Sequence, residues 1–380
     1  MTLPTNFARR ARPLMSVDLL FSGDLILDVP QPDYWLDGIA ARLRDAALAI
    51  GHLEVPHTRH APCLAGDIRA PGADPDHVPA IRRAGFHAVT LAGNHIADCG
   101  AAGIADTVAA LDAAGVAHCG AGADLEAARR PCLIEGGGVR LALLSYNCVG
   151  PEEAWATPAR AGCAYLRIAT ADGAPVTPRA RLCSPVEASL DELRADVRAA
   201  RAAGRLVVVA FHKGIVHTPA TLAPYERTVA HAAIDAGADV VVGHHAHILR
   251  GIEIYRGKPI FHGLGNGCVV TRALSPDTDD PGRAEWARRR RELFGFSPDP
   301  AYFLAPFHPE AVNAMLACVR VEGDALSAGF VPVHVDPPGR PRLCSDQEAR
   351  DVVRYVEQIT RAAGLPALTT RYREGHAWIH

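Results

Sequence analysis

Short apolar runs alternate with amphipathic stretches along most of the chain. Residues 17–22 predict a first strand, 35–50 an amphipathic helix, and 87–91 a short strand that ends in Ala92-Gly93-Asn94-His95. The alanine-rich stretch 101–114 predicts a helix stopped by Gly115. Residues 132–135 and 139–145 predict two strands joined by Gly136-Gly137-Gly138. A charged amphipathic helix over 187–203 is followed by a strand over 206–211, a helix over 225–236 and a strand over 239–243. Residues 252–255 and 259–262 predict a hairpin around Arg256-Gly257-Lys258. Two late strands, 314–321 and 325–333, precede a helix over 346–363. This alternation, with hairpins interspersed, predicts a layered α/β fold with mixed sheets.

Two stretches interrupt the pattern. Residues 150–186 are rich in Gly and Pro and predict a loop at the rim of a site; residues 271–310 hold a second loop-rich insertion with a basic run at 288–291. That run predicts a solvated helix face. The expected organisation is one domain over 16–335 carrying both insertions, with 336–380 as a helical extension packed on it.

Composition narrows the function. A chain of 380 residues buries a sizeable core without disulfides. Its ten cysteines are scattered with no C-x-x-C pair, which predicts reduced core thiols. A net charge of −3 and 6% aromatic residues exclude a basic, base-stacking surface, so no nucleic-acid partner is expected. No apolar run approaches the roughly 18 residues of a membrane span. Arg9, Arg10 and Arg12 precede an apolar stretch too short for a signal peptide, which predicts a cytoplasmic protein.

The polar residues fall at strand ends. Asp24 follows Gly23 after the first strand, Asn94 and His95 follow Gly93, His212 follows Val-Val-Val-Ala-Phe, and His244, His245 and His247 follow Gly243. In open α/β sheets that edge is where ligands bind. Asp, Asn and His are ligands for divalent cations, and two such cations activate water and neutralise a phosphoryl oxygen. Glu54 is a further candidate carboxylate.

Several stretches together carry a resemblance. They are Ser22-Gly23-Asp24, Leu53-Glu54-Val55-Pro56, Leu91-Ala92-Gly93-Asn94-His95-Ile96-Ala97-Asp98, Phe211-His212-Lys213-Gly214 and Gly243-His244-His245-Ala246-His247, extended by Gly257-Lys258-Pro259-Ile260 and Leu264-Gly265-Asn266. Over about residues 16–267 the chain resembles the CapA family, the poly-γ-glutamate capsule-synthesis proteins with a calcineurin-like metallophosphatase fold. The resemblance implies a metallophosphatase-like layered α/β sandwich. It implies that Asp24, Glu54, Asn94, His212, His245 and His247 line a metal centre, with His95 as an acid/base oriented by Asp98.

The sequence also departs from the family pattern. Ile26 stands where a metallophosphatase has a His ligand, and Glu54 where it has an Asp. His212-Lys213-Gly214-Ile215-Val216-His217 replaces His-Trp-Gly-x-Glu-Tyr, adding a cation and losing a carboxylate. The expectation is therefore fewer than two tightly bound divalent ions (Mn, Fe, Zn, Mg or Ca), down to none. Lys213 and His217 are candidate substrate contacts.

Three functions follow from this reading. The first is a metal-assisted hydrolase acting on a phosphoester, polyglutamate or peptide substrate in capsule-type biosynthesis. The second is a metal-independent peptide epimerase, like a lasso-peptide enzyme that resembles CapA proteins, with Asp24 and a lid residue, His308, as opposed acid/base groups. The third is a non-catalytic capsule-assembly protein.

Overall fold

The computed structural model describes residues 16–64, 70–177, 180–275, 279 and 281–380. Two sheets face each other across the molecule. The larger has ten strands, in which Ser16–Leu27 lies beside the parallel strand Leu48–Leu53, followed by Ala88–Thr90 and Ala117–Cys119. The smaller has six, with Leu206–His212 held in parallel between Val139–Asn147 and Val240–His244. Period-2 alternation builds the layers. Leu19, Phe21 and Ile50 of one sheet meet Leu143, Val208 and Val242 of the other in one buried cluster. The intervening Leu20 and Ala49, and Val207 and Val209, belong to a second cluster with helix residues such as Leu36, Leu43, Leu193 and Val197. Helix, sheet, sheet and helix therefore stack as the metallophosphatase-like layered fold.

The first strand changes partners along its length. Ser16 to Phe21 pair with the antiparallel Asn313–Glu322, whereas Asp24 to Leu27 pair with the parallel Asn266–Val270. The register slips on both sides of Asp24. At that change-over the backbones close in: a Cβ on Gly23 would lie 2.0 Å from the carbonyl oxygen of Gly265. Backbone on both sides leaves no soft neighbour to yield. Gly23→Ala is therefore expected to lower stability by at least about 1–3 kcal/mol, the cost of forced overpacking, read from the urea midpoint.

Three expectations are corrected here. The helix expected to run to residue 50 ends sooner, as Pro32–Asp45, and Ala46 is already extended. Leu48–Leu53 is a strand buried on both faces, and such a continuous apolar run is not told from a helix by periodicity. The chain beyond residue 335 carries the helix Asp346–Ala362, and also Arg340–Leu343, Thr370–Arg373 and His376–Ile379, which add strands to the larger sheet. Within the second insertion, Pro281–Arg288 and Arg290–Phe294 are helical. Arg288 and Arg289 face solvent as expected, but Arg290 is buried and donates to the Pro306 and Leu274 carbonyls.

All ten cysteines are free thiols, most of them buried. Among the described residues no helix is long and apolar enough to cross a membrane.

Candidate metal centre and its cavity

The strand ends converge. Asp24 pairs in register with His52 of the neighbouring strand, and Glu54 follows two residues later, just past the strand end. His212 and His244 are the last residues of adjacent parallel strands and lie opposite each other. The next residues turn sharply, with His245 at φ 88° and His247 at φ 54°. A bulky residue held there is strained, and such strain clusters at functional sites. Gly243 makes the approach possible, since a Cβ would lie 2.2 Å from the His262 carbonyl oxygen.

The side chains meet in a buried cluster. Asp24 Oδ1 lies 3.3 Å from His244 Nδ1, and Asp24 Oδ2 lies 3.4 Å from His247 Nδ1 and accepts from the His245 N–H at 3.3 Å. Glu54 Oε1 lies 3.3 Å from His247 Nε2 and 4.0 Å from His212 Nε2. His212 Nε2 is 2.6 Å from Asn94 Oδ1 and 3.1 Å from His245 Nδ1. The His52 ring stacks on His244 at 4.7 Å, and its Nδ1 is fixed by the Thr90 hydroxyl at 2.9 Å. Asn266 fixes His247 at 2.9 Å.

Burial and like neighbours set the charges. His52 is pushed down to about 4, by burial first and by His244 second. Burial likewise pushes His244 and His245 down to about 3 and His212 well below its ordinary value. These rings are neutral imidazoles, the form that ligates metals. Burial and the adjacent Glu54 raise the Asp24 carboxyl. Burial is the largest influence on Glu54 and would raise it, but His247, His95 and His52 together outweigh it and hold the carboxyl low.

The cluster has unmet polar capacity. His52 Nε2 and Glu54 Oε2 are buried without a hydrogen-bond partner among the described residues, and Asp24 Oδ1, His244 Nδ1 and Glu54 Oε1 have only the ion-pair contacts given above. Such groups ordinarily find one. Three sets of ligand atoms lie within 4.8 Å of one another: Asp24, His52 and His212; Glu54, His212 and His245; Asp24, Glu54 and His247. Mixed imidazole and carboxylate donors suit a divalent cation, so these clusters could hold one.

Two of the sequence grounds for weak ion binding look different in the fold. His52, missed in the sequence reading, supplies an imidazole beside Asp24 where Ile26 lacks one. Lys213 is buried with its Nζ 2.6 Å from Glu226 Oε2, so its charge is already paired. Its position is also a correction to its role as a substrate contact. Lys213 is turned toward Glu226 and His262 and does not line the cavity.

A cavity of about 760 Å³ opens over the cluster. Glu54, Asn94, His95, His245 and His247 form its floor. His95 carries its Nδ1 2.7 Å from Asp98 Oδ2, and Asp98 is buried and also accepts the Ala70 N–H at 2.5 Å. His217 lines the side wall, its ring 5.9 Å from that of His247, and burial keeps its pKa well below the ordinary value.

His308 is placed otherwise. Its Nδ1 accepts the Glu310 N–H at 3.1 Å, and the ring faces a separate cavity of about 160 Å³. Phe307, one residue earlier, is the lid residue that reaches the main cavity, and its ring stacks on His247 at 4.6 Å. Asp24 lies beneath the floor and does not line the cavity. The structure therefore does not set Asp24 and His308 across one space.

Fold and site define a metallophosphatase-like protein with a candidate divalent-metal centre. The chain belongs to the bacterial capsule synthesis protein family PGA_cap, whose model matches residues 18–269. A Mycobacterium tuberculosis protein named "Probable polyglutamine synthesis accessory protein" is 40% identical over 197 residues, covering 50% of this chain and 47% of that one. The capsule biosynthesis protein CapA of Bacillus anthracis is 30% identical over 194 residues, covering 51% and 43%. The chain spans about half the length of the curated relatives it matches.

Proposed function

We propose that this chain is a metal-assisted hydrolase acting on a phosphoester or on a glutamyl or peptidyl amide in capsule-type or poly-γ-glutamate biosynthesis. The observation that carries the reading is the buried set of carboxylate and imidazole atoms gathered within ligand distance of one another, lying under a cavity that His95 also faces. Asp24, His52, Glu54, His212, His245 and His247 would hold the cation, with Asn94 beside His212. A divalent ion there supplies Lewis-acid stabilisation of charge developing on a substrate oxygen. His95 does the proton work. Asp98 accepts from its Nδ1–H and fixes the tautomer, so exchange with a bound substrate runs through Nε2. The names of the relatives support the biosynthetic setting.

The test combines elemental analysis with turnover on a phosphomonoester and a γ-glutamyl anilide. At least one equivalent of divalent ion and activity abolished by chelation are expected. A chain that binds no ion in a calorimetric titration overturns the reading. Solvent deuterium appearing at a peptide Cα, unaffected by chelation, would support the epimerase instead. Ion binding without turnover would support an assembly role.

A further inference from the structure

The cavity has two chemically different halves. Its floor is the polar cluster, whereas its roof is Leu274, Leu293, Phe294 and Phe307. All four lie beyond residue 269, where the match to the family ends. We infer that this roof makes the site selective for a substrate with an apolar side chain or acyl group next to the reacting bond, rather than for a run of glutamyl carboxylates. The inference rests on the hydrolase reading for what is cleaved, but not for what is bound.

Three features support it. First, the roof touches the floor. Phe307 stacks on His247, and Phe294 stands edge-on to His217 at 5.0 Å. An apolar group packed beside these rings lies next to the floor and side-wall histidines that they touch. Second, the roof is tied together from inside. The buried Arg290 guanidinium donates to the carbonyls of Leu274 and Pro306, binding the start of the insertion to the residue before Phe307. Burying an arginine is costly unless it is hydrogen-bonded, so this is a built wall and not a loose loop. Third, apolar surface continues outward. Ile215 and Leu293, which both line the cavity, are 43% and 36% exposed. A ligand with an apolar body would cover both.

Charge points the same way. His247, held cationic by Glu54 and Asp24, and the proposed cation would meet one carboxylate at the floor, but each further glutamyl repeat would bring another with no cation above it. Among the described lining residues Arg181 is the only arginine or lysine, and it sits at the exposed rim. Buried charges without partners are expelled or neutralised. The volume of about 760 Å³ is that of a pocket for a drug-sized ligand and has room for a short peptide.

Equilibrium binding to the full chain tests this without turnover. Calorimetric titrations would compare N-acetyl-Phe-Gly, N-acetyl-Glu-Gly and a γ-glutamyl trimer. The phenylalanyl ligand is expected to bind roughly 10-fold or more tightly than either other, the usual scale of an apolar-pocket preference. Leu293→Glu, at an exposed position that leaves folding intact, and Phe294→Ala should each erase that preference with ion binding unchanged. Equal or tighter binding of the γ-glutamyl trimer, binding of none of the three, or a preference that survives both substitutions overturns the inference. If the preference holds but nothing is hydrolysed, the hydrolase reading fails and the selectivity stands.

Discussion

Replacing His212 by alanine is expected to remove divalent-ion binding and activity together, whereas His95→Ala is expected to keep the ion and lower turnover by about 10²–10⁴-fold. The difference follows from what each imidazole touches. His212 belongs to two of the three ligand sets, and its Nε2 lies within 3.1 Å of His245 and 2.6 Å of Asn94. Its loss opens a hole in the middle of the cluster and frees Asn94 and His245 to turn. His95 stands on the cavity floor, held by Asp98, and belongs to none of the three sets. Asp98→Asn should fall between wild type and His95→Ala, because it leaves the imidazole in place but unsettles its tautomer. Ion content by elemental analysis, measured on the same preparations as kcat, separates the two roles. Equal loss of ion from both alanine variants would place His95 in the ion site and remove its separate function.

The strand ends that build the site are legible because each is a short apolar run stopped by a polar residue, after a Gly at Asp24, Asn94 and His244 and directly after Phe211 at His212. Asp24, Asn94, His212, His245 and His247 all stand out for that reason, and they do converge. His52 is hidden by the same rule working in reverse. Every residue of Leu48–Leu53 is buried, so the run shows no alternation and extends the preceding helix on paper. Its imidazole emerges only from the register that sets it against Asp24.

Charge misled at Lys213. A lysine next to a ligand reads as a repelling cation, but Glu226, 13 positions later on the helix Glu226–Ala236, folds back onto it. The roof over the site is the least legible part. Phe294 and Phe307 sit in a polar, Pro-rich stretch with no periodicity, and only tertiary packing against His217 and His247 gives them a common face. His308 reads as a lid residue in that stretch, whereas it is its apolar neighbour Phe307 that faces the cavity.

The buried pair between Lys213 and Glu226 sets the largest expected stability effect. Both residues are 1% exposed, with Nζ 2.6 Å from Oε2. The Lys213 ammonium also reaches the His262 ring and carbonyl at 3.3 Å, and the other Glu226 oxygen accepts the Ala223 N–H at 2.7 Å. Glu226→Gln keeps the shape but strands the ammonium in the interior, at an expected cost of about 3–5 kcal/mol. Pairing Lys213→Met with Glu226→Leu removes both charges and should recover most of that loss, because an apolar pair needs no desolvation. The pH dependence has a definite sign. Burial raises the Glu226 carboxyl, but the Lys213 and Arg250 charges outweigh it and hold the pKa below the ordinary 4.5. A depressed folded-state pKa means the stabilisation is complete above that ordinary value and is lost as pH falls through it toward the folded one. Urea midpoints at pH 7, 5 and 4 should therefore fall more steeply in wild type than in Glu226→Gln. The wall of the cavity should register the change as well, because Gly214 next to Lys213 donates to the Tyr225 hydroxyl at 2.8 Å, and both residues line the site. If Glu226→Gln unfolds at the wild-type midpoint at pH 7, the ammonium has found water or a proton has left it, and the pair does not hold this wall in place.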